Sequence, residues 1–136
     1  MNKLQNYVDN LNGMLQQSRN EFRFFLDDKR KEIHLQQAGE KLFSAIESYL
    51  TLKYGQPIEN YQHAYQLSKG EKSDIDLLSD GRELHRYFYD YKEQFPNTLD
   101  AIRLYESVYR RLKDKIRKYL LGRYKIERIV LEQELR

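Results

Sequence analysis

A chain of 136 residues with 40% hydrophobic and 33% charged residues is long enough to bury one core, and no apolar run approaches the ~20 residues a bilayer span needs. Its lack of cysteine excludes disulfides and thiolate metal sites, and three scattered histidines leave little for a zinc centre, so neither a metal nor a cofactor is expected. The formal net charge is +3, and the opening MNKLQNYVDN breaks its apolar residues with polar ones where a secretory signal needs an unbroken run, which points to a cytoplasmic protein with no membrane partner.

Two prolines and six glycines punctuate the chain, and the apolar residues between them recur at three and four, the spacing of an all-α protein. The first helix is predicted from about Asn2 to Leu26, with Leu4, Tyr7, Val8, Leu11, Leu15, Phe22, Phe25 and Leu26 on one face and Phe24 pointing away. The stripe passes through Gly13 unshifted. After a charged breakpoint at Asp27 to Lys31, a second stripe follows through Leu35, Gly39, Leu42, Phe43, Ile46, Leu50 and Tyr54, stopping at Gly55. These two helices should form an antiparallel hairpin. Pro57 suits the first turn of a short connector helix over Ile58 to Lys69, which Gly70 ends.

Ser73 reads as the N-cap of a central helix that Pro96 terminates. On it, Leu77, Gly81, Leu84, Phe88, Tyr91 and Phe95 make a core stripe, with Arg82, His85 and Tyr89 aligned beside it. Asn97 or Thr98 then caps a last helix whose inward positions are Ile102, Tyr105, Tyr109, Leu112, Ile116 and Leu120. Gly122 is its weak point. Beyond it, Ile126, Ile129 and Val130 lie on one side and Tyr124, Leu131 and Leu135 on another. The expected fold is therefore an all-α, up-and-down four-helix bundle with a short connector helix. It forms a single domain over 1–136, with the bundle core at about 2–121 and a helical tail over 123–136. Outward Phe24, the surplus of tyrosines and the two-sided tail predict a homodimer.

Charge is uneven along the chain. Residues 1–97 hold 13 Lys and Arg against 15 Asp and Glu, whereas residues 98–136 hold 11 against 6, so the basic surplus is C-terminal. Arg103, Arg110 and Arg117 recur every seven residues on one face of the last helix, with Lys118 beside them. Such a stripe suits either a solvated helix face or a track for nucleic-acid phosphates.

Arg82, His85 and Tyr89 concentrate the groups that could do chemistry: His85 to move a proton, Arg82 to neutralise phosphate charge, and Tyr89 to position a substrate. A histidine beside an apolar stripe also reads as a satisfied boundary residue. His34 and His63 have no matched carboxylate or basic cluster, and the sequence has no P-loop, dinucleotide glycine fingerprint, metalloprotease pair or nucleophile elbow.

The segment AGEKLFSAIESYLTLKYG at 38–55, a short helix, and GRELHRYFYDY at 81–91 together resemble the HEPN superfamily (higher eukaryotes and prokaryotes nucleotide-binding). The likeness is nearest the archaeal PaREP type, carried by Leu84, His85, Phe88 and Tyr89, and covers roughly residues 30–118. It implies a helical bundle that often dimerises. HEPN ribonucleases place four to six residues between an active-site Arg and His, whereas Arg82 and His85 have two between them and Arg30 and His34 have three. The resemblance thus implies a non-catalytic module that binds RNA, a nucleotide or a partner protein, such as a separately encoded nucleotidyltransferase. The alternative is a metal-independent endoribonuclease using Arg82 and His85.

Overall fold

The structure, a computed structural model, describes residues 3–91 and 97–124. Among these residues every regular element is a helix: α1 (Lys3–Asp27), α2 (Glu32–Tyr54), the short α3 (Tyr61–Leu67), α4 (Lys72–Tyr89) and α5 (Thr98–Tyr124). None is long and apolar enough to cross a membrane.

Side-chain pairings fix how the four long helices run. Between α1 and α2, Ser18 meets Ala38 while Met14 meets Ser48, so the two chains run in opposite order. Tyr49 reaches Asp74 and Phe43 reaches His85, which makes α2 and α4 antiparallel as well. Lys115 reaches Asp74 and Arg111 reaches Asp80, so α5 turns back along α4. The result is an up-and-down helical bundle in which α2 is central and α3 bridges the ends of α2 and α4.

The predicted stripes form the core. Leu11, Phe22, Phe25, Leu35, Leu42, Ile46, Leu50, Leu77, Leu84, Phe88, Tyr105 and Leu112 are all buried. Small residues outside the predicted stripes fill the narrow places: Ala38, Ala45, Ala64 and Ala101 are fully buried among them. Two glycines set the spacing of α2 and α4. A Cβ added at Gly39 would sit 3.0 Å from side-chain carbons of Leu84 and Phe88, and one added at Gly81 would sit 2.3 Å from Ile46 Cδ1. Each helix thus receives the other's large side chains where it has none, which is how packed helices come close. The polar knot of the core is Ser18, whose hydroxyl donates to Ala38 O and shares a 2.7 Å hydrogen bond with the Tyr105 hydroxyl, tying α1, α2 and α5. The Tyr105 ring stacks on Phe22 with centroids 3.9 Å apart.

Four boundaries or facings differ from expectation. Tyr7 is 46% exposed, because it lies about 100° round the helix from Val8, past the edge of the buried stripe. The connector helix begins at Tyr61, not at Pro57, since Asn60 supplies the cap: its side-chain oxygen accepts from the His63 backbone N–H at 2.9 Å. The central helix begins at Lys72 with Glu71 in the cap position, and Ser73 lies inside its first turn, where its hydroxyl donates to Glu71 Oε1. The same helix ends at Tyr89 with Asp90 as its C-cap, ahead of Pro96. Elsewhere the expected boundaries hold. Gly55 ends α2 in the left-handed conformation, φ 72°, with its N–H on Thr51 O, and Asn97 caps α5 through its side-chain oxygen and the Leu99 N–H. His34, which has no matched carboxylate near it in sequence, meets Glu21 of α1 through Nδ1. Phe95 and the tail from residue 125 onward fall outside the described residues.

The glycines make contrasting predictions. Nothing lies within 4 Å of a Cβ at Gly13, so Gly13→Ala should raise stability by about 0.5–1 kcal/mol through helix propensity alone. Gly81→Leu overfills the α2–α4 contact and should cost at least ~1–3 kcal/mol, and Leu84→Ala, removing a fully buried side chain, ~2–5 kcal/mol. Urea unfolding midpoints at constant slope are the measurement; equal effects at Gly13 and Gly81 would mean α2 and α4 are not in close contact.

Candidate functional site

Three places on the bundle carry candidate chemistry. The first is the polar and aromatic ledge of α4. His85 is half-buried between aromatic rings, stacked on Phe43 at 5.7 Å and edge-on to Tyr89 at 5.4 Å. Its Nε2 is buried without a hydrogen-bond partner among the described residues. Burial holds its pKa below the ordinary histidine value against the opposing pull of Glu40, so the ring is neutral near pH 7. Arg82 is spread over the Tyr61 ring of α3 at 4.1 Å, and the exposed Tyr89 hydroxyl reaches Glu40 Oε2 at 3.5 Å. Of the three predicted residues on this flank, His85 and Tyr89 therefore meet ring to ring, while Arg82 is turned away onto Tyr61.

The second is the face shared by α1 and α5. Arg103 and Arg110 are exposed along it, each loosely paired within its own helix, with Asp100 at 3.9 Å and Glu106 at 3.8 Å. From α1, Arg19 donates to the other oxygen of Glu106 at 2.6 Å and lies 4.8 Å over the Tyr109 ring. Lys113 approaches the same ring at 6.0 Å. The Lys113 ammonium is held below its usual range first by burial and then by Arg117 and Arg19, and Arg117 Nε is itself buried without a hydrogen-bond partner among the described residues. Arg23 is close enough to act on Tyr109 as well. Three cationic side chains, Arg19, Arg23 and Lys113, thus gather around Tyr109, with Arg117 near Lys113 and Arg110 on Glu106. Lys118 does not belong to this face: one residue on from Arg117, it is turned about 100° away and pairs with Asp114 at 3.0 Å.

Lys118 instead lines the third place, a cleft of about 620 Å³ between α2, α4 and α5. Lys53 and Lys115 make its floor, and beneath them lies Asp74, whose side chain is fully buried. Lys53 Nζ and Tyr54 OH donate to Asp74 Oδ2 at 2.7 and 2.9 Å, and Lys115 Nζ and Tyr49 OH donate to Oδ1 at 2.7 and 3.2 Å. Burial pushes the Asp74 carboxyl up, but the hydrogen bonds from Lys115, Lys53 and Tyr54 outweigh that and hold it below the usual carboxylate range. The neighbouring phenols move the other way: burial, reinforced by the Asp74 charge and hydrogen bond, raises Tyr49 and Tyr54 well above an ordinary tyrosine.

Asp74, Lys53 and Lys115 do not stand out in the sequence as site residues. A signal existed, since Asp74 stands three residues before Leu77 and seven before Gly81 and so occupies the buried stripe of α4. An acidic residue in register with a core stripe needs a cationic partner from another element.

Asp74→Ala should cost ~3–5 kcal/mol because it strands two ammoniums, whereas Asp76→Ala, removing an exposed pair with Lys72, should cost under ~0.5 kcal/mol. The sign of the pH dependence follows. Asp74 is depressed in the fold, so its contribution is present above the unfolded aspartate value of about 3.9 and is lost as pH falls through its folded value. Tyr49 and Tyr54 are raised, so stability should fall as pH rises above about 10, where the unfolded phenols ionise and the folded ones do not. Unfolding free energies measured across pH, with Tyr49→Phe flattening the alkaline limb, check this.

No protein-family model matches the chain, and comparison with curated proteins and with solved structures likewise finds no match.

Proposed function

We propose that the chain is a non-catalytic helical module that binds nucleic acid along the face made by α1 and α5. The observation that carries this reading is the cationic cluster around Tyr109. Lys113 and Arg19 both lie on the Tyr109 ring with Arg117 near Lys113, and Glu106 is shared between Arg19 and Arg110. Gathering like charges costs folding energy, and a polyanion recovers that cost when it binds. Arg103 and Arg110, 70% and 81% exposed, extend the cluster along the helix as a track for successive phosphates. The HEPN resemblance is in keeping with the reading, since its two segments, 38–55 and 81–91, are the paired helices α2 and α4.

The ribonuclease alternative has less support. Arg82 is engaged on Tyr61 and His85 is held between rings, so the pair offers no shared space for a phosphodiester. A homodimer remains part of the proposal, supported by Phe24 and Ile33, each more than half exposed.

Titration of a labelled single-stranded RNA of about 20 nucleotides should show retention that weakens as salt rises. Replacing Arg103, Arg110 and Arg117 together by Gln should lower affinity at every RNA sequence and reduce the slope against log salt by up to ~2, about 0.7 for each phosphate no longer neutralised. Wild-type protein that cleaves RNA in EDTA, with His85→Ala abolishing cleavage, would replace this reading with the ribonuclease. Sedimentation at micromolar concentration should give a dimer that Phe24→Asp with Ile33→Asp converts to monomer.

A further inference from the structure

The cleft on the other side of α5 has a different charge pattern from the nucleic-acid face, and it holds unused ammonium donors at its floor. Its rim cations each have a carboxylate of their own: Arg111 meets Asp80 at 2.8 Å and Lys118 meets Asp114 at 3.0 Å. Asp76, also on the rim, pairs with Lys72. The floor is arranged differently. Lys53 and Lys115 share the single carboxylate of Asp74, and the remaining acid, Glu71, stands 3.9 Å from Lys53 with its side chain half exposed.

Donor arithmetic points the same way. Two ammoniums bring three N–H donors each. Asp74 accepts one from Lys53 and one from Lys115, and the Ser73 hydroxyl accepts a second from Lys115. Both oxygens of Asp74 are further occupied by Tyr49 and Tyr54, so the carboxylate cannot absorb the rest. Three N–H donors of the two charged groups, two on Lys53 and one on Lys115, are therefore left without a hydrogen-bond acceptor among the described residues, on side chains only 22% and 20% exposed at the bottom of the cleft. A charge so placed is poorly served by bulk water and well served by an anion.

Above the floor the wall is aromatic, with Tyr119 its more exposed ring. Tyr49 and Tyr119 meet edge-on with centroids 6.3 Å apart, Leu77 continues the surface, and the Tyr119 hydroxyl is tethered to the Leu52 and Lys53 carbonyls at 3.5 Å. The volume, about 620 Å³, lies within the range of small-molecule sites.

We propose that this cleft binds a small organic anion, one phosphate or carboxylate group carried on a flat ring, with the anionic head on Lys53, Lys115 and Ser73 and the ring against Tyr119 and Leu77. The site uses none of the cations of the α1–α5 face, so it stands whether or not nucleic acid binds there.

Calorimetric titration with phenyl phosphate, benzoate, inorganic phosphate and phenol tests it, with nucleic acid absent. Phenyl phosphate or benzoate should bind at least tenfold more tightly than inorganic phosphate or phenol, and the tighter of the two assigns the head group. Ser73→Glu sets a carboxylate beside Lys115 at an exposed position and should weaken binding at least tenfold, while thermal melting by circular dichroism stays at or above the wild-type midpoint. Gln17→Glu adds the same charge on exposed α1 and should leave binding within twofold. The proposal is overturned if neither organic anion binds at 10-fold excess over millimolar protein, if inorganic phosphate binds as tightly as both, or if folded Ser73→Glu binds like wild type.

Discussion

A buried carboxylate costs several kcal/mol to desolvate, so a fold that contains one must bring it enough partners. Asp74 receives four, and they come from two helices: Tyr49, Lys53 and Tyr54 near the end of α2, and Lys115 from the middle of α5, all converging on the first turn of α4. This demand constrains the bundle more tightly than apolar packing does. Leu side chains accept many arrangements of similar volume, whereas two ammoniums within 2.7 Å of opposite carboxylate oxygens fix the heights of three helices against one another. The Ser18 knot does the same at neutral charge for α1, α2 and α5.

The position of α5 follows, and with it the separation of two chemistries. Lys115 faces inward to Asp74, so the residues on either side of it are committed to opposite flanks of the helix. Lys113 and Arg117 go to the side of α1, where they join Arg19 near Tyr109. Arg111 and Lys118 go to the side of α4, where each meets an aspartate. What looks in sequence like one run of basic residues is therefore two surfaces, one with exposed arginines along its edge and one whose rim cations are each paired with an aspartate. Linear charge density does not separate them. The angular position of each residue does, once the buried side of the helix is known.

That distinction explains how much was legible beforehand. Apolar periodicity located the four long helices and most of their large buried side chains, because burial of Leu, Phe and Ile at three and four is the strongest local signal a helix gives, but it passed over Tyr49, Leu52, Leu78 and Val108, which widen the buried face beyond the narrow stripes. The ends of the short connector and the start of α4 were less legible. Asn60 and Ser73 are both good capping residues in isolation, and the choice between them and their neighbours was made by tertiary contacts: Asn60 is free to cap α3, while the Ser73 hydroxyl is drawn to Glu71 and Lys115. The floor of the cleft was hidden for the same reason. Lys53, Asp74 and Lys115 are far apart in sequence, and nothing local to Lys53 or Lys115 marks them as partners of a buried acid.

The ledge of α4 shows the opposite case, where a local pattern is legible and its meaning is set by packing. Gly39 lets α4 approach until a Cβ there would lie 3.6 Å from the His85 backbone, which presses His85 toward α2 and lays its ring on Phe43. Once there, the imidazole is desolvated, and charging it would set a cation between aromatic rings with only the distant pull of Glu40 to compensate. Its neutrality is thus a consequence of the same glycine that brings α2 and α4 together. A general base needs the proton it takes to arrive within about 3 Å, and the buried Nε2 of His85 has no polar partner beside it among the described residues, only the Phe43 and Tyr89 rings on the imidazole. In this closed bundle, therefore, His85 belongs to the α2–α4 interface, and the groups disposed toward anions are the cations that α5 distributes to its two flanks.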